Sequence, residues 1–301
     1  MRNKMGLLDR FKKDKVLKQE LDKNADFQSL FQIHLLFCDK PTKLGANIIK
    51  EALNRKFGDI DVVSGDKSLT SFAVKKYTAK FKEGSIPPQV LMMEVQPFKE
   101  ETISEFERTQ LWDVKDNEEL LGSCKYRLII SDMMAATMEY KERCELLVGW
   151  LEVALTLFPN CTAIWVPSSG KLLTSEQVNN NKIKDEDKFI YLCVNVRLFN
   201  IQNTEDMLVD TLGLYAIGLP DLQYHFHNLK PDDIVGHAFN VASYIFTANA
   251  PVKSGETIDG LEGGKMSKVV RWRCQYEESL IQPVREVMDI CLGEYASGTR
   301  Q

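Results

Sequence analysis

The sequence lacks a membrane-length apolar run, and its first 24 residues contain no apolar core or small-residue cleavage site of a secretory signal. No C-x-x-C occurs, and the cysteine count of seven is odd. Cys38 and Cys193 sit inside apolar runs, LLFC and IYLCV, where a thiol behaves as a small hydrophobe. This usage points to reduced, structural thiols in a reducing compartment, and the cytoplasm is the expected location. No dinucleotide G-x-G-x-x-G, no nucleophile elbow G-x-S-x-G and no zinc-protease H-E-x-x-H is present. GLEGGKMS, from Gly260 to Ser267, falls short of a phosphate loop. Its spacing is one residue too small, Met266 stands where Ser or Thr would meet a metal, and a strand follows. A strong charge of either sign is also missing. Net charge is -5, from 38 Lys+Arg against 43 Asp+Glu, which gives no global attraction to phosphate backbones and disfavours a nucleic-acid partner.

What remains is ordinary globular composition, 44% hydrophobic and 27% charged over 301 residues. A chain of that length can bury roughly 75% of its unfolded surface. The expected fold is α+β, built as two α/β sandwich-like halves with largely antiparallel sheets and helices packed on them. Residues 1–28 read as a charged leader without stable membrane anchoring, because Asp9, Asp14, Glu20 and Asp22 interrupt its basic face. Residues 29–115 form an N-terminal half, 123–293 a C-terminal domain, and 294–301 a frayed tail.

The N-terminal half opens on a buried strand, Leu30 to Cys38, with His34 as a core histidine. A helix follows over Thr42 to Phe57, with Leu44, Ile48, Ile49, Ala52, Leu53 and Phe57 at helical spacing. Three further strands come next. Lys99 to Gly122 reads as a connector with a loose surface helix. The second half opens likewise on strand–helix–strand: CKYRLIISDMM, a helix over Thr137 to Phe158, and CTAIWVP. Leu172 to Lys188 is polar enough to read as an exposed excursion.

The central stretch, Phe189 to Phe246, holds three of the four histidines. FIYLCVNVRLFNI reads as one long strand, followed by a second strand around Leu208 to Leu214. With Gln202 to Glu205 as the loop, Ile201 pairs with Asp206, and Arg197 lies opposite Asp210. An Asp among leucines needs a partner, because a buried unpaired carboxylate is costly. The pair is either a register-fixing ion pair or part of a charged site, with Arg197, Asp210 and Asp221 as its binding residues.

In GLPDLQYHFHNLKPDDIVGH, an extended YHFHN puts His225 and His227 on one side of the chain. With His237 or Asp221 they form a candidate zinc site, although no recognised ligand spacing is present. Asp232 and Asp233 follow Pro231 at the start of an amphipathic helix, where carboxylates suit the dipole.

The segments D-T-L-G-L and G-L-P-D-L-Q, with the closing strand after Q-Y-E-E-S-L, resemble the bacterial Domain of Unknown Function 4261 family over the last third to half of the chain. The resemblance implies a compact α+β domain and carries over no catalytic residue. Some families of this kind lie near toxin–immunity or stress loci, an association rather than a mechanism. The leading expectation is a non-catalytic module that binds another protein or itself. A metal-dependent hydrolase using His225 and His227, and a structural subunit of an oligomer, are the alternatives.

Overall fold

The computed structural model describes residues 30–66, 68–82 and 84–298. The expected leader, 1–28, lies outside them. The fold is α+β, with largely antiparallel sheets, and the chain divides into two compact units after Cys193. Among the described residues no helix is long and apolar enough to cross a membrane.

The first unit holds β1 (Gln32–Phe37), β2 (Ile60–Gly65), β3 (Leu69–Val74), β4 (Ala79–Phe81), β5 (Gly84–Ile86), β6 (Gln89–Met93), β7 (Gln96–Pro97), β8 (Tyr126–Met133), β9 (Ala163–Val166) and β10 (Lys171–Thr174). All but the β4–β5 hairpin join one sheet in the order β10-β9-β1-β8-β6-β3-β2, with β7 beside β8. Every pairing in it is antiparallel.

The helices of this unit are α1 (Ala46–Phe57), α2 (Glu105–Arg108), α3 (Asn117–Ser123), α4 (Tyr140–Leu157), α5 (Ser175–Asn179) and α6 (Lys188–Cys193). Ile49, Ala52, Leu53 and Phe57 bury one face of α1, and Gly58, at φ 86°, ends it. Glu139 caps α4 by accepting from the N–H groups of Lys141 and Glu142. The two helices meet closely at Gly149, where a Cβ would lie 2.7 Å from the Phe57 ring. Below α4, the buried Arg143 donates to Asp132 at 2.6 Å, and the same carboxylate accepts from the N–H of Phe31 at 2.6 Å.

Four expectations for the chain up to Cys193 need correction. Residues 116–122 are not a domain boundary, because β8 sits between β1 and β6 in the first sheet. Both strand–helix–strand segments therefore belong to one unit. The connector before β8 is not a surface helix: Ile103, Leu111 and Leu121 pack with Leu36, Phe98 and Trp165. The excursion after β9 begins inside the sheet, with Leu172 and Leu173 fully buried in β10. Phe189 to Cys193 is helix rather than strand. Asp185, Glu186 and Asp187 stand directly ahead of it, where acidic groups favour a helix start.

The second unit contains β11 (Asn195–Asn200), β12 (Met207–Leu212), β13 (Asp221–Phe226), α7 (Pro231–Thr247), β14 (Thr257–Glu262), β15 (Lys265–Glu278) and β16 (Glu286–Cys291). Their order is β11-β12-β13-β16-β15-β14, with only β13 and β16 parallel. Gly263 and Gly264, both at positive φ, form the turn between β14 and β15 in place of a phosphate loop. Past Asp259 the register of this pair shifts, and Lys268 to Val270 fall outside the ladder. The expected frayed tail is also corrected as far as residue 298. Phe226 bridges Ala296, and the N–H groups of His227 and Ser297 reach the carbonyls of Tyr295 and His225 at 2.9 Å.

Candidate functional site

Two polar clusters lie in the second unit. The first grows from the β11–β12 hairpin. Its register places Arg197 opposite Asp210 and lets the Ile201 N–H bond the Asp206 carbonyl at 2.9 Å, as the loop count predicts. The guanidinium grips the carboxylate with both arms, Nε to Oδ1 at 2.8 Å and Nη2 to Oδ2 at 2.6 Å. Both side chains are buried.

Sequence reasoning missed the residue that completes this cluster. Arg285, just before β16, donates through Nη2 to Asp210 at 2.8 Å and through Nε to Asp221 at 2.9 Å. Asp221 also accepts from the hydroxyl of Thr211 and from the backbone N–H groups of Gly213, Leu214 and Tyr215. Burial pushes the Asp221 carboxyl above its usual range, against the pull of Arg285 and of these donors. Burial works against the Arg285 charge too, but the neighbouring Asp221 and Asp210 outweigh it and hold its pKa up. The donor set surrounding Asp221 is that of a carboxylate.

The outward arms of both arginines serve the loop between β15 and β16. Arg197 Nη1 donates to the Gln282 carbonyl at 3.0 Å, and Arg285 Nη1 to those of Ile281 and Pro283. Gln223 accepts from the Leu280 N–H at 2.8 Å, and the Ser279 hydroxyl donates to the Pro283 carbonyl. The loop's backbone thus turns inward, while Leu280 and Val284 are 56% and 57% exposed. The arginine donors of the cluster go to carboxylates and backbone carbonyls, an arrangement that fixes the loop.

The second cluster holds two of the three expected zinc ligands. His225 lies in β13 and His227 directly follows it. Asp206 lies 3.6 Å from His225 Nε2 and accepts from the Ser297 hydroxyl at 2.9 Å. His227 Nδ1 lies 2.9 Å from the same hydroxyl. Because Ser297 gives its proton to Asp206, it accepts from His227, and the imidazole does not act as a base toward it.

His237 is not brought to them. It is buried in α7, between the rings of Tyr224 and Trp272. Nε2 donates to the Asp259 carbonyl at 2.8 Å, which leaves Nδ1 to accept from the Tyr224 hydroxyl at 3.0 Å. Burial lowers its pKa, and both ring nitrogens are used. Asp221, at the start of β13, belongs to the arginine cluster. Among the described residues no group of three or more His, Cys, Asp or Glu side chains is disposed to hold a metal ion.

Residues 210–291 match the model of the family described as Domain of unknown function (DUF4261). The matched segment runs from β12 through β16 and contains Asp210, Asp221 and Arg285, while Arg197 precedes it. No curated protein and no solved structure matches the chain.

Proposed function

Starting from a second unit whose β12–β16 segment matches DUF4261, we propose that the chain is a non-catalytic protein-binding module that offers the Leu280–Val284 tip to another protein. The observation that carries this reading is the placement of two exposed apolar side chains on a loop held from inside by Arg197, Arg285 and Gln223. Burying a Leu or Val side chain is worth about 1.5–3 kcal/mol. On a loop already fixed, less of that gain is consumed by ordering the backbone. The mild acidic excess suits a protein partner better than a phosphate backbone.

The test is affinity capture with the full chain and with Leu280→Asp/Val284→Asp, after circular dichroism shows that the two are equally folded. A protein retained by the wild type and lost by the double variant is the expected result. Identical retention by both, or retention by neither, overturns the reading. Light scattering separates self-association, in which case the wild type is dimeric and the double variant monomeric.

A further inference from the structure

Among the cysteines, all free, Cys38 has a distinct setting. It follows β1 and is half-buried, whereas Cys124, directly after α3, is buried. The Lys125 N–H bonds the Phe37 carbonyl at 2.8 Å and ties the two chain segments together beside the thiols. Cys38 Sγ lies 3.4 Å from the Thr162 hydroxyl and 3.5 Å from that of Ser123. Cys124 sits between Ser123, whose hydroxyl meets Cys38 Sγ, and Lys125, whose N–H holds Phe37, so the backbone brings the two cysteines together.

These donors favour a thiolate at Cys38. Ser123 and then Thr162 pull its pKa down, while burial pushes the Cys124 thiol up to about 12. The Ser123 hydroxyl donates to the Leu120 carbonyl at 2.7 Å and can turn to the sulfur when Cys38 ionises. Thr162 and Ser123 also line a cavity of about 420 Å³, and Cys38 itself is only half-buried. The Cys161 thiol is directed at the Leu36 and Ala163 carbonyls, and burial raises its pKa to about 11.

We propose that Cys38 is a peroxide-reactive thiol and Cys124 its resolving partner, so that the first unit forms a reversible disulfide joining the end of β1 to the end of α3. The Cys38 thiolate attacks a hydroperoxide. An S–O bond forms, the O–O bond breaks, the leaving oxygen departs as hydroxide or alkoxide and takes a proton from water, and the sulfur is oxidised to a sulfenic acid. Cys124 sulfur then attacks that of Cys38. The S–S bond forms, the S–O bond breaks, and the released hydroxide takes the Cys124 proton to leave as water. A thiol reductant reverses the sequence by exchange.

The experiment treats the reduced full chain with hydrogen peroxide, alkylates the remaining thiols and maps peptides by mass spectrometry. A Cys38–Cys124 linked peptide is expected, formed before oxidation of the half-buried Cys291 and lost on reduction. In Cys124→Ser, Cys38 accumulates a dimedone-trapped sulfenic acid, and in Cys38→Ser neither product forms. Wild-type protein in which Cys38 and Cys124 alkylate as fully after peroxide as before it overturns the proposal, whatever the variants do. A Cys38 disulfide to any other cysteine overturns the role of Cys124.

Discussion

Arg285 carries more of the second unit than Arg197 does. It reaches Asp210, Asp221 and the carbonyls of Thr211, Ile281 and Pro283, and its removal leaves buried carboxylates short of a donor. Breaking a buried pair by deleting one partner costs about 3–5 kcal/mol. Arg285→Met should lose that much stability in urea denaturation. Arg197→Met should lose less, because Arg285 still holds Asp210.

A second single-residue prediction concerns His34, buried in β1 with Trp165 edge-on at 5.0 Å. Burial, and then the charge of Arg127, lowers its pKa from 6.5 to about 4. Below pH 6.5 the unfolded imidazole takes a proton that the folded one refuses. The contribution is thus complete above pH 6.5 and fades as pH falls toward 4, by about 3 kcal/mol in all. Urea midpoints across that window should fall less steeply for His34→Gln than for the wild type, and parallel slopes would refute the assignment.

These residues differ in how far sequence reveals them. Arg197 and Asp210 flank a short loop, and counting along a hairpin brings them together. Arg285 lies 75 positions from Asp210, and only the assembled sheet makes them neighbours. The setting of Cys38 depends in the same way on Ser123, Cys124 and Thr162, none of which is local to it.

At the scale of elements, apolar periodicity located most of the strands and the three long helices, with helix ends shifted by a few residues, but left β10 in an exposed excursion. It misassigned FIYLC because a short, continuous apolar run suits a buried strand and a buried helical turn equally. The acidic run before it was the better guide. Packing between α1 and α4 yields a prediction of its own. A Cβ at Gly149 would press on the Phe57 ring at 2.7 Å. Gly149→Ala should therefore cost about 1–3 kcal/mol in thermal or urea unfolding. Combined with Phe57→Leu, the loss should be smaller than the sum of the two single losses, since the second change makes room for the first. Strict additivity would mean that the helices do not meet there.

For the whole molecule, the sequence suggested two units but placed their boundary far too early. The second strand–helix–strand looked like a fresh beginning, yet β8 inserts between β6 and β1, and β1 was made almost a hundred residues before it, as the pairing of His34 with Ile129 illustrates. Such long-range pairing leaves no local trace. The sheet of the second unit, by contrast, draws all six of its strands from Asn195 to Cys291. A fragment starting at Val194 should fold alone, with a dispersed amide spectrum and a cooperative melt. A fragment starting at residue 123 should gain no additional cooperative unit, because β8, β9 and β10 would lack β1.

Each sheet has a broken register at one margin. In the first, β2 slips between Val62 and Ser64, and in the second, β14 slips after Asp259. An unbroken margin bearing side chains such as Val62 and Val63, 40% and 54% exposed, would be a template on which further copies add strand upon strand. Kinking these two rims interrupts the row of amides that fibril growth requires. The irregularities thus act as safeguards against polymerisation at high concentration, a hazard that an idealised redesign with straightened strands would bring back.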